Sequence, residues 1–410
     1  MDNFSIRFGM TPNFPPETDS HMEQNPKIKL IHNPRFRSLV IQAMLLTAFV
    51  VLAGFAISNT ARNLEKAGIT SGFGFLKEVA GFDVSLALIG YSRSASYGRA
   101  FMVGLLNTLL VSSLAIFFST ILGFLLGIAR LSGNWLVSRM AVVYIEIIRN
   151  VPLLLQILFW YIAILNPLPR PRQALNLTDM FFLCNRGLIL PRPVGEPGFI
   201  VTPAALLMAV AASAALIRWA GRRQLRTGLR FPAYYTAAGL IIGLPLLALA
   251  VTGFPVHWDI PVLKGFNFRG GMTVLPEFIA LCLALSLYAA AFIGENVRSG
   301  IMSVDRGQIE AARALGHRPG MTLRLVVIPQ AMRVIIPPLT SQHLTLVKNS
   351  SLAVVIGYPD LIHVFAGTTL NQTGQAVEII SVTMLVYLTI SLIISMIMNR
   401  YNKKYAIRGR

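Results

Sequence analysis

The sequence predicts an all-α, polytopic membrane helical bundle of about eight transmembrane helices, each needing about 20 apolar residues to cross the bilayer. Three observations carry that expectation. Of 410 residues, 54% are hydrophobic and only 13% are charged, too few charges to wet the surface of a soluble domain of this size. The apolar residues gather in runs of spanning length, and the basic residues, which bring the net charge to +19, sit in short clusters beside those runs. Such clusters orient a chain in the bilayer; nucleic-acid binding would need a basic face or a recognition motif, and none accompanies the charge.

The elements follow in chain order. Residues 1–37 are polar, basic from Lys27 onward, and are expected to form a cytoplasmic N-terminal segment, with Met22 an alternative start. The run 38–58 is too long for the core of a cleaved signal peptide and is expected to stay in the membrane as an N-terminal helix. Charge-free runs at 100–128, 198–217 and 231–254 supply further spans. The runs 140–165, which holds Glu146 and Arg149, and 273–294, with Glu277 near its start, add two more, and 381–399 closes the chain.

Hydropathy leaves the stretch 333–357 undecided, because Pro337, Pro338, Ser341, Gln342, His343, Lys348 and Asn349 interrupt its apolar residues. Orientation argues for a crossing. The arginine-rich loop before it and the tail with Arg400, Lys403, Lys404, Arg408 and Arg410 both belong on the cytoplasmic side. With 381–399 also crossing, parity requires one more span, whose polar residues then face protein or water rather than lipid.

With both termini cytoplasmic, the cluster Arg218, Arg222, Arg223, Arg226 and Arg230 and the loop 298–333 fall inside, as the positive-inside rule asks. The loop 166–197 is an exception: it is expected outside despite Arg170, Arg172, Arg186 and Arg192. Flipping the topology would expel two richer clusters.

Metal, redox and catalytic chemistry find little support. The two cysteines, Cys184 and Cys282, have no partner at ligand or redox spacing. No span is followed by a phosphate-cradling G-x-x-x-x-G-K-[ST] loop, and the sparse acids and histidines form no catalytic constellation. The chain is therefore expected to hydrolyse no ATP itself and to need no cofactor. Its most informative stretch is the cytoplasmic loop 305–330. Residues 305–315 predict a short helix with small Ala311, Ala312 and Ala314, Gly316 suits the positive φ of a helix C-cap, and a second helix should follow Pro319-Gly320. Such a helix between two spans suits docking into a groove on a partner; an ordinary cytoplasmic hairpin is the other reading.

The run Glu310-Ala311-Ala312, followed by Gly316 and thirteen residues later by Pro329, resembles the EAA loop of ATP-binding-cassette (ABC) importer permeases. In that family the loop is the coupling helix that seats in a cytoplasmic ATP-binding subunit, and the resemblance implies the same for Glu310 and Gly316. Val326 and Ile328-Pro329 stand where the general pattern has an isoleucine and a Leu-Pro pair. Three further stretches, 146–156 (Glu146 to Gln156), 288–298 and 346–352 (Leu-Val-Lys348-Asn349-Ser-Ser-Leu), resemble the polar amino-acid permeases. The layout is similar to the Q-type subunits of the general L-amino-acid importers of Gram-negative bacteria. The resemblance implies a type-1 ABC permease core over 100–400, with an inserted loop and two extra helices at 166–272, a coupling loop at 305–330, and 38–58 as an added helix. It also implies import of polar L-amino acids across a bacterial inner membrane, with a second permease subunit and a periplasmic amino-acid-binding protein as partners.

A zwitterionic substrate needs charged or dipolar partners inside the bundle, and each ionisable residue held at the bilayer centre costs about 2.5 to 3.5 kcal/mol. Glu146, Arg149, Pro152, Gln156, Lys348 and Asn349 are the candidates for the substrate pathway. Glu146 and Arg149 share a helix face, so substrate contact and a mutual ion pair both remain open. Pro152 breaks the helical ladder and frees a carbonyl, as at transporter binding sites. Lys348 has no nearby acid; it either meets a substrate carboxylate or snorkels to the outer interface. Glu295 and Arg298 are expected to pair at the cytoplasmic end of their span, His343 to be a packed or solvated polar residue and not a proton relay, and Asp360 and Glu378 to lie in an outer loop, meeting a binding protein or only solvent. A self-contained secondary transporter would instead need buried carboxylates and usually an internal repeat, and a receptor or scaffold would leave the polar residues around Lys348 unexplained.

Overall fold

The computed structural model describes residues 34–66, 72–176, 178–196, 198–229 and 231–405. The expectations for residues 1–33, among them Met22, and for Arg230, Arg408 and Arg410 lie outside the described residues. Helix α1 (Pro34–Lys66) belongs to a unit of its own, and the rest of the chain from Gly72 forms a second.

In the second unit, Ser96 and Asn134 accept backbone N–H groups as N-caps and start α2 (Tyr97–Arg130) and α3 (Trp135–Asn150). Then come α4 (Leu153–Leu158), extended by a π-turn to Leu165, α5 (Val201–Thr227), α6 (Ala233–Val251) and α7 (Pro276–Met302). Helices α8 (Arg306–Ala314), α9 (Pro319–Thr322), α10 (Ile328–Asn349), α11 (Leu370–Thr373) and α12 (Ala376–Tyr405) complete the bundle. The stretch that hydropathy left undecided is one helical rod over Pro319–Ile356, longer than the expected 333–357.

Short strands were not expected. They are β1 (Leu175–Asn176), β2 (Phe182–Cys184), β3 (Gly187–Leu190), β4 (Arg192–Gly195), β5 (Val256–Asp259), β6 (Val262–Lys264), β7 (Asn267–Arg269) and β8 (Met272–Val274). They form an antiparallel sheet in the order β1-β2-β3-β8 and the pairs β4-β5 and β6-β7. The sheet clasps the two ends of the 166–272 segment together at the start of α7, and between them α5 and α6 pack against each other.

Helix α7 is the axis of the core, with α2, α10, α3 and α4 against it. Its contact with α2 uses glycine. An added Cβ at Gly123 would lie 2.5 Å from Ile293 Cβ, and one at Gly127 would lie 2.7 Å from the Gly294 carbonyl oxygen. In lipid, helices gain most from such close approach, and Gly123 and Gly127 make a G-x-x-x-G stripe. We expect Gly127→Ala to destabilise the bundle by about 1 to 3 kcal/mol, because the obstructing atom is backbone; a lowered thermal midpoint in detergent checks it.

The same contacts fix direction. Gly123 meets Ile293 and Gly127 meets Val297, so α2 and α7 run parallel, whereas Gly300 meets Ile335, and Ala289 lies beside Gln342, Thr345 and Asn349, so α10 runs antiparallel. The span expected at 140–165 is broken at Pro152, as that residue implied: α3 and the Leu153–Leu165 segment meet at 104°. Ser138 Oγ donates to the Arg130 carbonyl at one end of this pair, and Tyr161 Oη donates to Glu277 at the first turn of α7 at the other. Counted as one span, the bent pair brings the helices long and apolar enough to cross a membrane to eight among the described residues.

Candidate functional site

The end of α7 that follows Met302 carries α8. Asp305 caps it, its Oδ1 accepting the Gly307 N–H at 2.6 Å. At the other end Gly316 has φ +80°, its N–H reaches the Arg313 carbonyl at 2.9 Å, and the His317 N–H reaches the Ala312 carbonyl at 3.1 Å. This pair of bonds is a Schellman motif, and it satisfies carbonyls that the helix end leaves open. Ala312 is buried; Glu310, Ala311 and Gly316 are exposed, and Glu310 enters no ion pair among the described residues. Pro329 stands apart from this face, half-buried where the π-turn at Leu323–Val327 passes into α10.

Above the loop, Glu295 receives two guanidinium groups, from Arg130 of α2 and from Arg298, the latter at 2.6 Å. The expected Glu295–Arg298 pair is present, and Arg130 joins it from 165 residues away. The Glu146–Arg149 ion pair is corrected. Both residues are exposed, no ion pair joins them, and the Arg149 guanidinium lies over the Phe292 ring at 5.2 Å. An aromatic face on α7 offers a partly desolvated cation-π contact, which offsets the loss of a local pair.

At the α3–α4 break, Val151 and Pro152 are extended and two carbonyls lose helical partners. Gln156 is buried, and its Nε2 donates to the carbonyls of Ile148 and Val151, both at 2.9 Å. Its amide thus holds the break, and only Oε1 is without a partner. Lys348 is exposed on α10 and enters no ion pair among the described residues. The adjacent Asn349 lines a cleft with Leu285, Tyr288 and Gln342. That level is ten residues into α7, about 15 Å from its start at 1.5 Å per residue. His343 packs as expected, with Nε2 3.0 Å from Thr120 Oγ1.

The reading of Asp360 as a loop acid open to solvent or partner is corrected. It is 0% exposed, outside the spanning helices, with Oδ1 accepting the His363 N–H at 2.8 Å. Its segment is tied to α2: Asn107 donates to the Pro359 carbonyl, Thr108 Oγ1 accepts the Leu361 N–H, and Tyr358 Oη donates to the Asn107 carbonyl. Glu378 is held as well, accepting the Gly72 N–H at 2.7 Å. Burial pushes the Asp360 carboxyl up to about 7. A raised folded value means that the native state holds this proton more tightly than the unfolded chain, whose carboxyl titrates near 3.9. The stabilisation is complete below about pH 4 and lost as pH rises to about 7. Asp360→Asn keeps the acceptor and removes the titration, so the fall in melting temperature between pH 5 and 8 should be smaller in that variant than in the parent.

Residues 231–406 match the family model described as binding-protein-dependent transport system inner membrane component. The chain is 55% identical over 378 residues to the putative amino-acid ABC transporter permease protein YhdX of Escherichia coli K12, covering 92% of this chain and 96% of that one. It is 49% identical to the general L-amino acid transport system permease protein AapQ of Rhizobium johnstonii, over 93% of this chain and 95% of the relative. It is 42% identical to the glutamate/glutamine/aspartate/asparagine transport system permease protein BztB of Rhodobacter capsulatus, over 93% and 96%. With seven to eight candidate spans among the described residues, a doubly capped helix between α7 and α10, and this likeness along nearly its whole length, the chain belongs to the amino-acid ABC transporter permeases.

Proposed function

We propose that this permease imports polar L-amino acids across a bacterial inner membrane, with both termini cytoplasmic, and works with a second permease subunit, a cytoplasmic ATP-binding subunit and a periplasmic amino-acid-binding protein. The observation that carries the reading is α8: a rigidly capped helix whose Glu310–Ala311 face is open, following α7 and joined through α9 to α10, the helices that pack the core. A partner that moves α8 moves α7 and α10, which is what an external ATPase needs from a subunit with no phosphate-binding loop of its own. Glu310, Ala311, Ala312 and Gly316 form the docking element, with Pro329 as the further residue of the coupling loop. Residues 100–400 act as the permease core, with 166–272 as an insertion.

For the pathway we assign Lys348 and Asn349 to substrate contact, because Lys348 is a cation on a spanning helix with no ion pair among the described residues, and such a charge suits a carboxylate. Arg149 and Glu146 are open to a facing surface. Pro152 and Gln156 shape the break and hold it. Purification of the complex in lipid nanodiscs, with ATP hydrolysis measured with and without amino acid and binding protein, tests the assignment. Stimulated hydrolysis by a copurifying ATPase is expected; ion-driven uptake by the chain alone in liposomes would replace this reading with a secondary transporter.

A further inference from the structure

The loop that departed from the positive-inside rule does so for a local reason. Arg170, Arg172 and Arg186 converge on one cavity of about 780 Å³, lined also by Gln173, Asn185 and Phe266 and by no acidic residue. It is assembled from both ends of the insertion: Arg170 and Arg172 precede β1, Arg186 lies in the β2–β3 turn, and Phe266 tips the β6–β7 hairpin. Two of the guanidinium groups are fixed in place. Arg172 lies 3.8 Å from the Phe266 ring centroid and its Nε donates to the Gly265 carbonyl at 3.2 Å, while Arg186 Nη1 donates to Asn267 Oδ1 at 2.6 Å. The Arg170 side chain makes no hydrogen bond, and none of the three enters an ion pair among the described residues.

Three cations held together without a counter-charge repel one another, and on this side they also oppose the topology. An arginine offers five donors in a planar fork that matches a carboxylate in two-point fashion. Arg172 and Arg186 each spend only one donor on holding position, so both keep donors for an incoming anion. The cavity is open-mouthed and several times larger than one amino acid. It sits at the start of α7, the end opposite α8.

We propose that this arginine cavity is a docking site for acidic side chains of the soluble amino-acid-binding protein, an inference that rests on the partnership set out under the proposed function. Carboxylates on the partner's surface enter between Arg170 and Arg186, and the positive field steers the encounter. The sheet β1-β2-β3-β8, clasped to the start of α7, connects the docking surface to the core helix that carries α8 at its other end.

The test uses the assembled transporter in nanodiscs and the purified binding protein encoded with it. Arg170→Glu touches no internal partner, so it leaves folding and the basal ATPase rate unchanged. It is expected to raise the Kd for the binding protein roughly tenfold at low salt, with the difference shrinking at high salt, while Arg170→Lys retains most of the affinity. Equal Kd values for the parent and for both Arg170→Glu and Arg170→Glu/Arg186→Glu would overturn the docking site and leave the partnership standing. Displacement of the binding protein by free glutamate at equal ionic strength would also overturn it, assigning the cavity to a small dicarboxylate. If the parent complex bound no binding protein, the partnership would fail and this inference with it.

Discussion

Gly316→Asp should abolish most amino-acid uptake while the protein still inserts and accumulates normally. Gly316 holds φ +80° at the C-cap of α8, and open space surrounds the position where a Cβ would go. The penalty is therefore conformational and not a clash: a non-glycine residue in the left-handed region costs about 1 to 2 kcal/mol. That cost falls on a nine-residue helix with little packing of its own, so the Schellman bonds from Gly316 and His317 are the ones at risk. A carboxylate at the helix C-terminus adds an unfavourable dipole interaction of about 0.3 to 1 kcal/mol. Together these correspond to a fall in correctly docked complex of roughly tenfold or more. The check is uptake normalised to membrane abundance, alongside retention of the ATP-binding subunit on the purified permease. Full uptake at equal abundance would remove α8 from the coupling path. Gly316→Ala has the same backbone penalty without the charge and should fall between the two.

The second large effect is expected at Lys348. Replacing it with Met keeps the length and the apolar stem and removes the ammonium, so lost packing cannot explain a defect. If the ammonium meets a substrate carboxylate, losing one partner of a desolvated charge pair costs about 2 to 5 kcal/mol. The apparent KM for amino-acid-stimulated ATP hydrolysis should then rise at least about thirtyfold, with the basal rate unchanged. Unaltered kinetics would show that Lys348 only covers apolar surface.

Different parts of the site were legible to different degrees. The C-cap of α8 was readable because the interaction lies within a few residues: Gly316 reaches Arg313. The Glu295–Arg298 pair was readable for the same reason. Arg130 was not, because nothing local marks it as the second partner of Glu295. The Glu146–Arg149 pair failed in the opposite way: the spacing allowed it, and Phe292 on another helix took the arginine. Asp360 looked like a loop acid because hydropathy reads a polar residue between two spans as solvated, and its burial comes from hydrogen bonds to α2 more than 250 residues earlier. The strands at the insertion escaped notice because runs of two to four residues have no period to detect. One signal was present and unused, the G-x-x-x-G spacing of Gly123 and Gly127 that marks where α2 approaches α7.

By itself, then, the sequence determined which runs are long and apolar enough to cross a membrane, which loop forms the capped helix, and which side the charge clusters favour. Each of these is set within a window of about 20 residues, by the cost of exposing apolar or unpaired backbone groups in the wrong solvent. Only the tertiary structure decided which charges meet, that Pro152 bends its span by 104°, that Gln156 closes the break, and that three arginines from two loops share one cavity. Those outcomes depend on distances between residues far apart in the chain, and in a close-packed bundle such distances follow from the joint fit of all the helices, which no local stretch encodes.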